Sequence, residues 1–279
     1  MRFRSAFLSS TFLVGTLASG PALAADTYAP EPVAPAAQLP AVSAPNGKLS
    51  LRGGLFDSDD SDGEIYGATG SFTMPIGHSF GVQADGMLGA IDGDFMGGVG
   101  GHVFWRDPNR ALVGLYGGWT AIDGSADSYR LGVQSEVYLG RVSLEGMLGW
   151  EVVDFDEFDD EDSLFGLADI AFYPTDDLRV SAGYRRWDDK DIAAVGAEYQ
   201  LGKSWGTTSA ALFAEGRMGT DDYKAAWGGV RLYFGGESKS LIRRHREDDP
   251  RERGEEDVAG HRGSAGCEGI IVEGECYLK

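Results

Sequence analysis

Charged and polar side chains recur at every second position along several segments of the chain. Arg130, Gln134 and Glu136 share one such face, and Glu145 and Glu151 share another in the segment that follows. Alternate positions of an extended strand lie on the same face of a sheet, so these side chains gather on one surface. A surface that carries both signs of charge holds water and ions, and it gives each charge a partner.

Acid–base catalysis has one candidate on these faces, His102. An imidazole activates a hydroxyl only when an orienting group and the nucleophile are both within reach, and no spacing in the sequence specifies such a set. The sequence therefore predicts no catalytic residue, no enzymatic activity and no cofactor. Hydrolysis that depends on His102 stays as a third functional hypothesis.

The faces opposite the charges are apolar. From Met96 to Trp119, two alternating arms flank Asp107-Pro108-Asn109, a pattern typical of an antiparallel hairpin. Each arm has about ten residues, the length that a tilted strand needs to cross a bilayer. Twelve such segments can be drawn, from 47–56 to 222–234.

Composition narrows the class of protein. The 279 residues carry a formal charge of −20, which argues against nucleic-acid binding because phosphates require a basic surface. The 42 glycines lie within the alternating segments, as in curved strands, and not in a linker. Past the N-terminus no apolar run reaches the roughly 18 residues of a membrane-spanning helix.

Four regions follow from the chain in order. Residues 1–24 have the basic start, apolar core and Ala22-Leu23-Ala24 ending of a signal peptide. Residues 25–46 form a Pro/Ala-rich linker, 47–234 form the sheet, and 235–279 form a charged, mostly disordered tail. Within the tail, Cys267 and Cys276 are predicted to form a disulfide in an oxidising compartment.

The connections decide which face is the inside. A soluble sandwich buries its apolar face, whereas a membrane barrel turns that face to lipid. Short turns alternate here with acidic and mostly longer loops, and an even number of strands puts both chain ends on the short-turn side. With the signal peptide, that side is the periplasm. The pattern predicts an all-β, antiparallel up-and-down transmembrane barrel of about twelve strands.

Three features resemble bacterial outer-membrane β-barrel proteins of the porin-like group. They are the signal peptide, aromatic-ended hairpins such as GHVFWRDPNRALVGLYGGW, and the last segment Gly229-Val-Arg-Leu-Tyr-Phe234. Such barrels usually end at that phenylalanine, but here residues 235–279 follow. The resemblance implies a cell outer-membrane location in a Gram-negative bacterium, contact with membrane lipid and lipopolysaccharide, and insertion by the barrel-assembly machinery.

The alternation assigns residues to two faces of this barrel. The predicted lumen lining consists of Arg52, Asp85, His102, Arg106, Arg130, Glu136, Arg141, Glu145, Asp169, Arg179, Arg185, Glu198, Glu215, Arg217 and Arg231. The predicted aromatic girdle consists of Trp105, Trp119, Trp150, Phe172, Tyr184 and Phe234.

Two functions fit this barrel. The first is passive diffusion of small hydrophilic solutes through a narrow pore, since twelve strands lie between filled and open barrels. The alternative is a structural or surface-interaction protein with a plugged lumen and acidic external loops. The acidic loops at 57–64 and 154–162 are solvated or bridge lipopolysaccharide through divalent ions. No protein metal site is predicted, and the tail's Arg243–Arg246 cluster is a candidate for contact with peptidoglycan.

Overall fold

A computed structural model describes residues 38–58, 62–123, 126–155, 161–187, 190–202, 206–220, 222–252, 270–272 and 275–277. The predicted signal peptide and most of the predicted linker lie outside these residues.

The barrel is closed by twelve antiparallel strands, each hydrogen-bonded to its neighbours in sequence, and β1 pairs with β12. The strands are β1 (Asn46–Asp57), β2 (Asp62–Ile76), β3 (Phe80–Ile91), β4 (Asp94–Asp107), β5 (Ala111–Ile122), β6 (Ala126–Leu139), β7 (Val142–Phe155), β8 (Glu161–Thr175), β9 (Leu178–Trp187), β10 (Lys190–Gln200), β11 (Ser209–Gly219) and β12 (Lys224–Gly235). The predicted up-and-down barrel and its strand number are confirmed.

The hairpin of β4 and β5 shows how the turns set the register. Asp107 accepts a hydrogen bond from the Asn109 backbone N–H at 3.0 Å, which closes a short Asx-type turn. Trp105 then pairs with Val113, and His102 pairs with Tyr116. Because the side-chain period of a strand is two, this register puts His102 and Tyr116 on the same face.

The two ends of the barrel differ, and we name them by their connections. The turn end carries the connections after β2, β4, β6, β8 and β10, together with the paired strand ends Asn46 and Gly235. The loop end carries the connections after the odd-numbered strands.

The outer surface is an apolar belt. Leu131, Leu148 and Val99 are 67%, 64% and 60% exposed, whereas Arg130 and Met147, which precede the two leucines, are buried. Aromatic side chains stand on the same outer face toward both ends. The structure places the rings of Trp105, Phe172 and Phe234 near the turn end and those of Trp119, Trp150 and Tyr184 toward the loop end. A closed barrel with an apolar outside and a charged inside has the architecture of a membrane-spanning barrel.

The chain after the barrel differs from the expected disorder. A short helix, α1 (Leu241–Glu247), begins after Ser240, and the chain continues buried through Asp249 and Pro250 to Glu252. The prediction of a disordered tail is wrong for residues 236–252, because their charges find partners inside the barrel. Farther on, β13 (Ile270–Val272) pairs with β14 (Glu275–Tyr277). The predicted Cys267–Cys276 disulfide lies outside the residues described with side chains.

The end of the predicted linker is also packed. Val42 lies in a small apolar cluster with Phe104, Leu112 and Tyr138 at the turn end. The Ala41 backbone N–H donates to the His78 carbonyl at 2.7 Å. Within the described part of the chain, α1 falls far short of the length and apolar character of a membrane-spanning helix.

The outer belt gives the first prediction. Val133 lies near the middle of β6 and is 53% exposed, and Leu139, on the same face, ends that strand and is 56% exposed. Val133→Arg should lower the free energy of unfolding in lipid vesicles by about 2–4 kcal/mol, and Leu139→Arg by only about 0–1 kcal/mol. Urea titration of the refolded protein measures both. Equal losses would contradict a lipid-facing belt.

Candidate functional site

The barrel interior is lined by charged side chains, which we call the charged wall. The structure turns every predicted lumen residue except Arg141 inward. Arg52, His102, Arg106, Arg130, Glu136, Asp169, Arg179, Arg185, Glu198 and Arg217 are buried, and Asp85, Glu145, Glu215 and Arg231 are partly buried.

Arg141 is the correction to that set. Its side chain lies outside, half exposed, and pairs with Asp176 in the next turn at 2.7 Å. The reason is the turn itself: Gly140 has a left-handed φ of 60°, so β6 ends at Leu139 and β7 begins only at Val142. Arg141 is therefore a turn residue and has no inward-facing strand position.

Pairs of opposite charge join neighbouring strands across the wall. Arg185 on β9 holds both carboxylate oxygens of Asp169 on β8, at 2.8 and 2.9 Å. Arg130 on β6 donates to Glu151 on β7 at 2.8 Å, and Ser128 donates to the same oxygen. The two parallel N–H···O bonds between Arg185 and Asp169 fix geometry as well as charge, which holds these two side chains in place.

The wall continues with three more arginine–carboxylate pairs. Arg179 donates to Glu145 at 2.9 Å, and Arg231 donates to Glu198 at 2.7 Å. Arg217 pairs with Glu215 at 2.9 Å, and its guanidinium lies 4.7 Å from the centre of the Trp227 ring. A guanidinium over a ring keeps its charge with less water than an ammonium needs, so it tolerates the enclosed lumen.

His102 is bound on both sides of its ring. Nδ1 lies 2.9 Å from the Gln134 side-chain oxygen, and Nε2 lies 2.8 Å from Asp85. The Tyr116 ring tilts against the imidazole at 4.9 Å between centroids. With both nitrogens engaged by the wall, neither is turned toward a hydroxyl group as a general base would require. The arrangement is that of a structural lining residue.

Residues 236–252 enter the lumen from the turn end, and we call them the plug segment. Leu241 packs in a small apolar cluster with Ala211 and Tyr233. Arg244 reaches Gln200 at 3.3 Å and Ser209 at 3.2 Å. These contacts fix α1 across the mouth of the barrel.

Beyond the helix, the chain is held by charge. Lys48 contacts Asp249 and lies 3.1 Å from Glu252, and it also donates to the Pro250 carbonyl at 3.1 Å. Arg231 approaches Glu252 at 3.6 Å. Burial, the largest single influence, raises the pKa of the Asp249 carboxyl, but the charge and hydrogen bond of Lys48, together with His245 and Arg106, hold that pKa below its usual range.

Arg251 extends the plug segment toward the middle of the barrel. It reaches Glu215 on β11 at 2.9 Å and Asp169 on β8 at 3.4 Å. One side chain thus bridges two wall carboxylates that already have arginine partners.

The chain just before β1 also binds the plug segment. Ser43 donates to Asp248 at 2.6 Å, and its backbone N–H donates to the Glu247 carbonyl at 2.7 Å. Lys239 pairs with Asp248 at 2.8 Å. The two ends of the described barrel chain therefore meet at this mouth.

The loop end is filled differently, by an inward-facing apolar layer that the sequence analysis did not identify. The layer includes Phe56, Ile65, Ile91, Met96, Ile122, Phe165, Trp187, Ile192 and Trp227, all buried. One signal was available: at several strand ends two successive residues are apolar, as at Leu55-Phe56 and Ile65-Tyr66. Alternation of polar and apolar residues is lost at this end, because the outer face is the apolar belt and the inner face is a packed apolar layer.

The described residues contain no group of three or more His, Cys, Asp or Glu side chains arranged to hold a metal ion. The acidic stretches considered for divalent ions, 57–64 and 154–162, fall in part outside the described residues. Binding of divalent ions there stays a prediction.

Adjacent arginines on β9 give a matched test of the wall. Arg185 is buried with Asp169, whereas Arg186 pairs with Asp191 at 3.0 Å on the exposed side. Arg185→Ala should cost about 3–5 kcal/mol of unfolding free energy, because it leaves a buried carboxylate without its bidentate partner. Arg186→Ala should change stability little, since solvent screens exposed pairs. If Arg185→Ala lowers the unfolding free energy as little as Arg186→Ala does, the buried ion pair does not stabilise the barrel.

The plug segment also predicts a pH dependence. Burial lowers the pKa of the His245 imidazole to about 4, although Glu198 opposes the shift. Tyr173 lies 3.0 Å from Nδ1 and Tyr233 3.2 Å from Nε2, and Arg179, Glu145 and Asp249 add their charges. The docked segment therefore binds fewer protons than the released one between about pH 6.5 and pH 4, so docking weakens as the pH falls through this range.

Hydrogen exchange of the α1 amides, corrected for intrinsic rates, measures this effect. Protection should fall roughly tenfold from pH 7 to pH 5. His245→Gln should remove the dependence in that range. A wild-type protein with constant protection would contradict a buried, neutral imidazole.

No family model matches the chain, and no curated protein matches it in sequence. Among solved structures, the KdgM porin in complex with disordered oligogalacturonate is 8% identical, with 68% of this chain and 99% of that chain covered and a TM-score of 0.47. The translocator domain of the autotransporter NalP from Neisseria meningitidis is 15% identical over 69% of this chain and 88% of that chain, with a TM-score of 0.48. The anion-selective porin from Comamonas acidovorans is 10% identical over 68% and 98%, with a TM-score of 0.36. By its own closed barrel, apolar belt and charged interior, the chain has the architecture of a membrane-spanning antiparallel β-barrel.

Proposed function

We propose that the protein lets small hydrophilic solutes diffuse across the outer membrane through its lumen. The observation that supports this most is the charged wall. A barrel that only had to be filled gains nothing from buried ion pairs, because apolar side chains of similar volume are often as stabilising or more so. Interior charge on most strands indicates a surface that is built to meet water and ions.

The charges are also unevenly distributed around the wall. Strands β6 to β8 carry the acidic side, and β9 to β12 with β1 carry the basic side. The acidic side holds Glu136, Glu145, Glu151 and Asp169 with Arg130; the basic side holds Arg179, Arg185, Arg217, Arg231, Lys48 and Arg52 with Glu198 and Glu215. Opposed charges across a lumen produce a transverse field, which orients polar solutes as they pass.

A second candidate function rests on the apolar layer. Buried aromatic and aliphatic side chains at the loop end, such as Phe56 and Trp187, leave a dry constriction above the charged wall. Such a layer suits a structural or surface-interaction barrel that stays closed. It also suits a channel that opens by wetting a hydrophobic constriction.

Planar bilayers separate the two functions. Full-length protein should give small, stepwise increases in conductance, and vesicles that contain it should swell faster in a small sugar than in a large one. Insertion is confirmed separately by the heat-dependent shift of the folded barrel on gels. If inserted wild-type protein and the inserted Asp249→Asn/Glu252→Gln variant are both silent, the channel proposal is wrong and the structural barrel is favoured.

A further inference from the structure

The plug segment has two parts that are held in different ways. The helical part is anchored at the mouth by Leu241 and by Arg244, which reaches two wall side chains. The tip, residues 248–252, carries Asp248, Asp249, Arg251 and Glu252, and its contacts with the wall are ion pairs and hydrogen bonds. Contacts of this kind can be exchanged for equivalent contacts with another charged molecule.

The wall side chains that meet the acidic tip form a small cationic group. Lys48 and Arg231 both lie against Glu252, and Lys48 also holds Asp249. The side chains of Lys48 and Glu252 are 5% and 4% exposed, so the pair sits in an enclosed, poorly hydrated place. Two cations around one carboxylate in such a place make a site for a carboxylate.

Open space adjoins this contact. A cavity beside Glu252 is lined by Arg52, Arg179, Arg217 and Arg231, together with Arg251 of the tip. Glu198, Glu215 and Glu252 also line it, so five arginines face three carboxylates. A small anion that enters this cavity would therefore meet more guanidinium groups than carboxylates.

We propose that Lys48 and Arg231 form a carboxylate-binding site in the lumen, that Glu252 and Asp249 occupy it as a built-in ligand, and that small solutes with carboxylate groups displace the tip and open the channel. The proposal rests on the diffusion function proposed above and adds to it a solute class and a gate. The helical part of the plug segment stays at the mouth while the tip moves.

Substitutions on the two sides of the ion pair should have the same effect on opening but different effects on ion selectivity. Both can be measured in the full-length protein. Glu252→Gln and Lys48→Gln each break the contact, so each should raise the open fraction in planar bilayers about tenfold, equivalent to about 1.4 kcal/mol. Glu252→Gln leaves the cations facing the lumen and should shift the zero-current potential in a KCl gradient toward anion selectivity. Lys48→Gln removes a cation and should not.

Two further variants act as controls. Asp176→Asn makes the same change in charge at an exposed carboxylate, whose partner is Arg141 on the outside of the turn end, and should leave gating unchanged. Lys48→Arg keeps the cation and should stay as closed as the wild type, which distinguishes a lost charge from a misfolded barrel.

Succinate is the ligand probe. Millimolar succinate should raise the open fraction of the wild type, an equal concentration of glycerol should not, and Lys48→Gln should not respond. If the wild type and every variant conduct equally, or if succinate has no effect, this inference is wrong while the diffusion function stands. If all of them are silent although inserted, the diffusion function itself fails.

Discussion

The constraint on which the interior depends is that charge enclosed in a narrow barrel must be paired. Removing one partner of a buried pair leaves a buried charge without full compensation, and this costs several kcal/mol. The wall meets the constraint by placing arginines and carboxylates on neighbouring strands, as in Arg185 with Asp169 and Arg130 with Glu151. The antiparallel register decides which charges are neighbours. A shift in the hydrogen bonds between two strands would therefore also change the ion pairs in the lumen.

The same constraint explains the plug segment. A run of arginines and acidic residues has too few apolar side chains to fold alone, yet inside the lumen the charges of its tip meet charges of opposite sign. Asp249 and Glu252 meet Lys48, and Arg251 meets Glu215. The barrel thus supplies the partners that water would otherwise provide, and a segment that reads as solvated becomes ordered.

Sequence alone was sufficient for the barrel and most of its wall, because a period of two is visible in the residues themselves. Arg130, Glu136 and Glu151 were assigned to the inside by alternation, and the structure turns them inward. Three features were missed for physical reasons. The plug segment owes its order to partners far away in sequence, the apolar layer lies where alternation ends, and Arg141 falls in a turn whose left-handed glycine shifts the strand start by one residue.

The pairing of β1 with β12 also fixes the sequence of events during assembly. Lys48 is near the first residue of the barrel, and its partners Asp249 and Glu252 follow the last strand. Their binding pocket does not exist until the first and last strands have met, because β1 and β12 each contribute one of its cations. The tip can therefore dock only after the barrel has closed. A barrel in which β1 and β12 are not yet paired would have no site for the tip.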